Sequence, residues 1–143
     1  MGLLISQDWH SRSYQKAQES VGRHDFNLEP LPEQLDGLRN FLLDKRNFLL
    51  GLLRNPNLLE HDSFTDLLWS VFHLAEELGF RDSFQSNNPK DLEHLAGDIQ
   101  RAYAKLLQEW LSYMQHLQLE YPYLYSLAVR TNPFSDEAKA VII

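Results

Sequence analysis

From Asn88 to Glu120 the apolar residues recur with a helical period and without interruption. Ala96, Tyr103, Trp110 and Leu117 repeat every seven residues, and Leu92, Ile99, Leu106 and Tyr113 fill the complementary positions, so the two series form a seam along one helix face. Leu107, Met114 and Tyr121 widen the seam into the broad stripe of a bundle helix, and Gly97, Arg101, Gln108 and Gln115 mark the opposite side. Asn88 suits an N-cap and Pro89 the first helical position, where a missing N–H costs nothing. Asp91 and Glu93 add negative charge at the positive end of the helix dipole. Tyr121-Pro122 ends the pattern, because the residue before proline is pushed out of the helical region. The reading is one long central helix over about 89–120, roughly 45–50 Å in length. Trp110 lies mid-seam, where loss of a core aromatic costs about 3–5 kcal/mol.

The remaining patterns are shorter. Ser6 as cap and Gly22 as stop bracket a helix over Gln7–Ser20, but its apolar residues are few (Trp9, Tyr14, Ala17, Val21), which predicts a weakly docked N-terminal segment. His24–Pro30 reads as a linker, so residues 1–30 are set apart from a bundle domain over 31–143. Leu31-Pro32-Glu33 opens a helix that runs to Arg54 and stops at Asn55-Pro56. Its stripe is Leu35, Leu38, Leu42, Leu49 and Leu53, with Phe41 and Phe48 on one shoulder and Leu43 and Leu50 on the other. After a short connection over Asn57–His61, Asp62 or Ser63 caps a third helix with Asp66 in a capping-box position. Phe64, Leu67, Leu68, Val71, Ala75 and Leu78 make its core stripe, and Gly79 is the expected residue just past its end. Phe80–Asn87 reads as a polar loop, Pro122–Arg130 as a short helix stopped by Asn132-Pro133, and Ser135-Asp136-Glu137 as the cap of a last turn. No stretch alternates like a strand and no solenoid-length repeat appears. The predicted fold is an all-α antiparallel helical bundle.

Composition narrows the function classes. At 143 residues, 43% hydrophobic and 23% charged, the chain has the make-up of a single globular domain. The absence of cysteine excludes a disulfide framework, thiol catalysis and cysteine-ligated zinc, and fits a cytoplasmic setting. A net charge of −7 argues against general nucleic-acid binding. No apolar run reaches the ~18–20 residues of a membrane span, and Met1–Ile5 is too short for a signal peptide. Met1-Gly2 with Ser6 fits the N-myristoylation pattern, one short enough to recur by chance.

No catalytic constellation emerges. The chain has no Gly-x-Ser-x-Gly, no glycine-rich phosphate loop, no His-Glu-x-x-His and no Glu-x-x-His pair. His94/Asp98 and His116/Glu120 are i,i+4 pairs with metal-ligand chemistry, but solvated or ion-paired helix surface is the better account of them, and neither a tightly bound transition metal nor any other cofactor is expected. Glu76 and Glu77 diverge on a helix and read as surface acidity. Lys45 and Arg46 lie close to their helix's apolar stripe, where an unpaired cation is costly. They would pair with an acidic edge of the long helix (Asp91, Asp98, Glu109, His116, Glu120), snorkel past the core's rim, or line a pocket for an anionic ligand. Trp69 falls opposite its own helix's stripe beside His73, with Phe72 on the shoulder. These three are interface candidates, facing a second protomer, another protein or this chain's own terminal segments.

Three stretches, RNFLLGLLRNPNLLEHDSFTDLLWSVFHLAEEL, HLAGDIQRAYAKLLQEWLSYMQHL and YPYLYSLAVRTNPF, together resemble a helical cytoplasmic region associated with archaeal-type, two-transmembrane potassium-channel-like proteins. The resemblance covers residues 31–134 and implies an accessory or regulatory module with an ion-channel protein as partner. The chain departs from that family in having no membrane helices and no selectivity-filter sequence. The expected function is therefore a non-catalytic regulatory or protein-interaction bundle, self-associating or partner-binding. The alternative is a small-ligand or metal-binding bundle, conceivably an enzyme, built on Lys45, Arg46, Glu109 and His116.

Overall fold

The computed structural model describes residues 2–85 and 88–142. Among them the chain is all-helical, with α1 (Ser11–Arg23), α2 (Pro32–Asp44), α3 (Arg46–Leu53), α4 (Pro56–Leu59), α5 (Asp62–Gly79), α6 (Pro89–Glu120) and α7 (Pro122–Arg130). The expected long helix is present with its expected start: the Asn88 side chain accepts a hydrogen bond from the Asp91 N–H at 2.8 Å. Met1, Ser86 and Asn87 lie outside the described residues, and with them part of the myristoylation pattern and of the polar loop before α6.

The chain divides into two compact units, residues 26–106 and residues 1–25 with 107–143. In the first, Leu35 and Leu42 of α2, Leu74, Ala75 and Leu78 of α5, Phe84, and Leu95 and Ala102 of α6 form one buried cluster, with Leu38, Val71, Leu92 and Ile99 packed against it. Contacts between α5 and α6 run antiparallel: Arg81 reaches Asp91, Glu77 reaches His94, His73 reaches Asp98 and Lys105 reaches Ser70. Arg39 ties α2 to the end of α5 by donating to the carbonyls of Arg81 and Asp82 at 2.8 and 2.9 Å.

Five expectations for this unit are corrected. The connection expected over Asn57–His61 holds most of α4, capped by the Asn55 side chain, and α5 is capped by His61 with no side-chain cap hydrogen bond rather than by Asp62 or Ser63. The single helix over 31–54 is two helices, broken at Lys45, whose φ of −91° and ψ of 2° leave the helical region. Both pieces pack on α5, and Leu35, Leu42 and Leu49 of the expected stripe are buried while Phe41 and Phe48 are exposed. Gly79 is the last residue of α5 rather than a left-handed residue beyond it, and Phe80 closes the helix in the right-handed region. A side chain at Gly79 would meet Leu43 Cδ2 at 3.2 Å, a tight contact with the end of an exposed side chain. One of the two series of the α6 seam is displaced: Leu95 and Ala102 are buried where Ala96 and Tyr103 were expected, these two are only partly buried and Leu106 is exposed, while Leu92 and Ile99 pack against the core as expected. Tyr103 instead meets Phe26 edge-on at 5.3 Å. Bulky aromatics with polar tips settle at the rim and aliphatic residues fill the centre.

In the second unit the N-terminal segment is not weakly docked. Leu3, Ile5, Tyr14, Ala17 and Val21 are buried, as are Leu107, Leu111, Met114 and Leu117 of α6 and Tyr125 of α7. The segment carries few apolar residues but places nearly all of them inward, and it adds hydrogen bonds. The Tyr14 hydroxyl lies 3.0 Å from both Gln118 Oε1 and the Tyr125 hydroxyl, and the Tyr125 hydroxyl donates to the Ser6 carbonyl at 2.6 Å. Gln118 Nε2 donates to the Trp9 carbonyl at 2.8 Å, and buried Asn132 donates to the Leu3 carbonyl at 2.8 Å. Trp110 is partly buried, edge-on to Phe134 at 5.3 Å, rather than the centre of the seam. Trp110→Ala is accordingly expected to cost about 1–2 kcal/mol in denaturant titration, below the range for a fully enclosed aromatic.

Candidate metal centre

The expected ligand residues fall in both units, Lys45 and Arg46 in the first and Glu109 and His116 in the second. Arg46 is paired with Glu76 of α5 at 2.8 Å and covers the Phe72 ring at 5.4 Å, not the acidic edge of α6. Lys45 is exposed, 4.0 Å from Asp44 and 5.9 Å from the centre of the Phe41 ring. Glu109 and His116 belong to the other unit, where His116 stands edge-on to Tyr121 at 5.8 Å. Of the interface candidates, Trp69 is 55% exposed, as its position opposite the core stripe predicts, and meets Phe72 edge-on at 6.1 Å.

What the structure assembles is a different set, on the facing surfaces of α5 and α6. His73 and Glu77 are four residues apart on α5, and His94 and Asp98 are four apart on α6, so each pair shares one helix face. Packed antiparallel, the two faces meet. His73 Nε2 lies 3.5 Å from both Glu77 Oε1 and Asp98 Oδ2, and His94 Nε2 lies 3.4 Å from the same two oxygens. The ligand atoms of His73, Glu77 and Asp98 all fall within 4.8 Å of one another. Around a zinc ion with bonds of about 2.1 Å, tetrahedral ligand atoms stand about 3.4 Å apart. Four of the six separations are near that length, but the group whose ligand atoms all fall within 4.8 Å of one another is His73, Glu77 and Asp98, without His94, so the four atoms are not yet at tetrahedral spacing.

Asp98 carries the argument for a ligand. It was expected at a solvated edge, yet it is 3% exposed, and its Oδ2, turned toward both histidines, has no hydrogen-bond partner. A buried carboxylate oxygen left unsatisfied costs several kcal/mol unless a cation meets it. Its other oxygen is held by Arg101 one turn along α6. Glu77 is oriented from the opposite end: Arg81 Nη1 donates to it at 3.1 Å while the same guanidinium binds Asp91 at 2.6 and 2.8 Å. The hydrogen bond from Arg81, helped by His94, holds the Glu77 carboxyl below the usual carboxylate range against the opposing effect of burial. Arg81 lowers Asp91 likewise and is itself raised by Asp91 and Glu77. The two histidines are about half exposed and give an ion a path from solvent. Glu76 and Glu77 do diverge, one to Arg46 and the other to this cluster.

These features define a class: an all-helical domain with a two-histidine, two-carboxylate cluster between antiparallel helices. Residues 2–130 match the family described as "Uncharacterized protein MJ1433, C-terminal helical domain", and the chain belongs to that family. It is 46% identical over 142 residues to the "Uncharacterized protein MJ1433" of Methanocaldococcus jannaschii, a match covering 99% of this chain and 56% of that protein. The chain thus spans little more than half the length of this curated relative. No solved structure matches. The resemblance read from the sequence holds at the level of a helical family, and neither description mentions a channel. No helix among the described residues is long and apolar enough to cross a membrane.

Proposed function

We propose that this domain is a binding module for a divalent first-row transition cation, held by His73, Glu77, His94 and Asp98. The observation that carries the reading is the buried, unsatisfied Asp98 Oδ2 facing both imidazoles. Two imidazoles and two carboxylates suit zinc, and also manganese or iron. With all four residues as ligands the site would be closed, whereas catalytic zinc keeps three and an open position. That supports a non-catalytic, regulatory role, in which ion binding clamps α5 to α6 and so informs whatever partner or adjoining segment the domain serves. A partner surface at Trp69, channel proteins included, would on this reading be a metal-dependent one.

Protein purified without a metal-affinity column, stripped with chelator and titrated with zinc, is expected to take up one ion per chain. Cobalt should give the intense visible absorption of tetrahedral coordination, and His94→Ala should remove both signals. If wild type takes up neither ion, the cluster is a set of histidine–carboxylate ion pairs and the proposal is wrong.

A further inference from the structure

A cavity of about 230 Å³ opens beside the cluster, walled by Trp69, Ser70, His73, Asp98, Arg101 and Lys105. It shares two walls, His73 and Asp98, with the candidate metal centre. Its cations are differently committed from those on the far side. Arg81, in the neighbouring cavity, is bound to both Glu77 and Asp91. Lys105 Nζ, by contrast, contacts the Ser70 hydroxyl at 3.0 Å, and among the described residues no carboxylate lies within ion-pair distance of it. Arg101 is 62% exposed along its side chain and is neutralised by Asp98. Asp66 supplies the wall's other carboxylate.

We infer that this cavity is a binding site for a small organic anion, carboxylate or phosphoryl, whose affinity is raised by the metal ion beside it. The inference rests on the metal reading above. Without metal, Asp98 cancels Arg101 and the two carboxylates of the cluster oppose an incoming anion. A divalent ion at the cluster adds two positive charges a few ångströms from the cavity. Arg101 can keep its hydrogen bond to Asp98 as an outer-sphere contact, but its charge is no longer cancelled. Arg101 and Lys105 then present a paired donor set for an anionic head, with the Ser70 hydroxyl between the helices as a further donor. Trp69, unexplained by the core, becomes the wall on which the body of the ligand lies. Reciprocity follows: an anion that binds better to the loaded protein must raise the affinity for the metal by the same factor.

The test uses the whole 143-residue chain, with phenylphosphonate as head-plus-ring probe and sulfate as head alone. Zinc affinity is measured by competition with a chromophoric chelator at constant ionic strength, correcting for zinc bound by the probe itself. The Trp69 indole N–H resonance is followed by NMR, assigned with Trp69→Phe. Phenylphosphonate is expected to tighten zinc binding at least tenfold and to shift the Trp69 resonance only in the zinc-loaded protein. Sulfate should do so more weakly. Lys105→Met should abolish the probe's effect on both zinc affinity and the Trp69 resonance. If zinc binds but the probe changes neither zinc affinity nor the Trp69 resonance, the anion site is overturned and the metal centre stands. If zinc does not bind, the metal reading fails, and this inference with it.

Discussion

Asp98→Asn is expected to lower zinc affinity by on the order of 100-fold or more while leaving the metal-free fold as stable as before, within about 1 kcal/mol. The opposed outcomes follow from where the carboxylate sits. It is buried with one oxygen unsatisfied, so neutralising it relieves a desolvation cost. Its ion-pair partner Arg101 is largely exposed, so losing the pair strands no buried cation. For the metal the same change removes the negative charge and leaves a neutral amide oxygen, a much weaker ligand. Thermal scans with and without zinc check both halves. At free zinc about 100 times the dissociation constant, wild type should gain ~2.7 kcal/mol, and the variant at the same concentration almost nothing. Asp98→Ala, which has no residual amide oxygen to offer, should agree. A variant that binds zinc like wild type would show that the buried carboxylate is not a ligand.

The largest loss of stability is expected from Tyr14→Ala, about 3–5 kcal/mol, or on the order of 10 °C in melting temperature. Tyr14 is 1% exposed, packs edge-on against Trp9 at 5.1 Å, and hydrogen-bonds with Tyr125 and Gln118. Truncation empties an aromatic site and leaves those polar groups without their partner. A loss under about 1 kcal/mol in denaturant titration would mean that the N-terminal helix does not hold its place.

The same pair also sets an alkaline limit. Burial, with the hydrogen bond to Tyr125 adding to it, pushes the Tyr14 phenol well above its ordinary value; burial raises Tyr125 too, against the opposing effect of the bond from Tyr14. Folded pKa values above unfolded ones mean that the native state keeps protons the unfolded chain releases. The contribution is therefore complete below about pH 10, the unfolded tyrosine value, and is lost as pH rises beyond it. Tyr14→Phe should flatten that alkaline decline at a cost of about 1–2 kcal/mol at neutral pH.

The candidate site was half legible before the fold was known. His94/Asp98 is readable as an i,i+4 pair, and Trp69 as an aromatic outside its helix's core stripe. The partner pair His73/Glu77 has the same spacing but lies in a different helix. Only the antiparallel register of α5 on α6, matching 73 with 98 and 77 with 94, brings the four groups to one point. Motif screens search within one segment and cannot find a ligand set divided between two. Arg46 shows the converse: its nearness to an apolar stripe called for a partner, but Glu76 in place of the α6 edge was settled by how α3 packs on α5.

By itself the sequence determined the all-helical class, the start of α6 at its Asn88 cap, the stops at proline and the outward face of Trp69. These rest on hydrogen bonds and steric limits within a few residues of chain, so local sequence suffices. The tertiary structure decided the break at Lys45, the burial of Leu95 and Ala102 in place of Ala96 and Tyr103, the burial of the N-terminal segment and the approach of His73 and His94 to Glu77 and Asp98. A straight helix drifts by about 20° per heptad against a seven-residue repeat, so a single wheel drawn along 32 residues misplaces a face that serves two separate cores. Which side chain fills a core, and which reaches across to another helix, depends on packing against residues far away in the chain, and that information exists only once the helices have met.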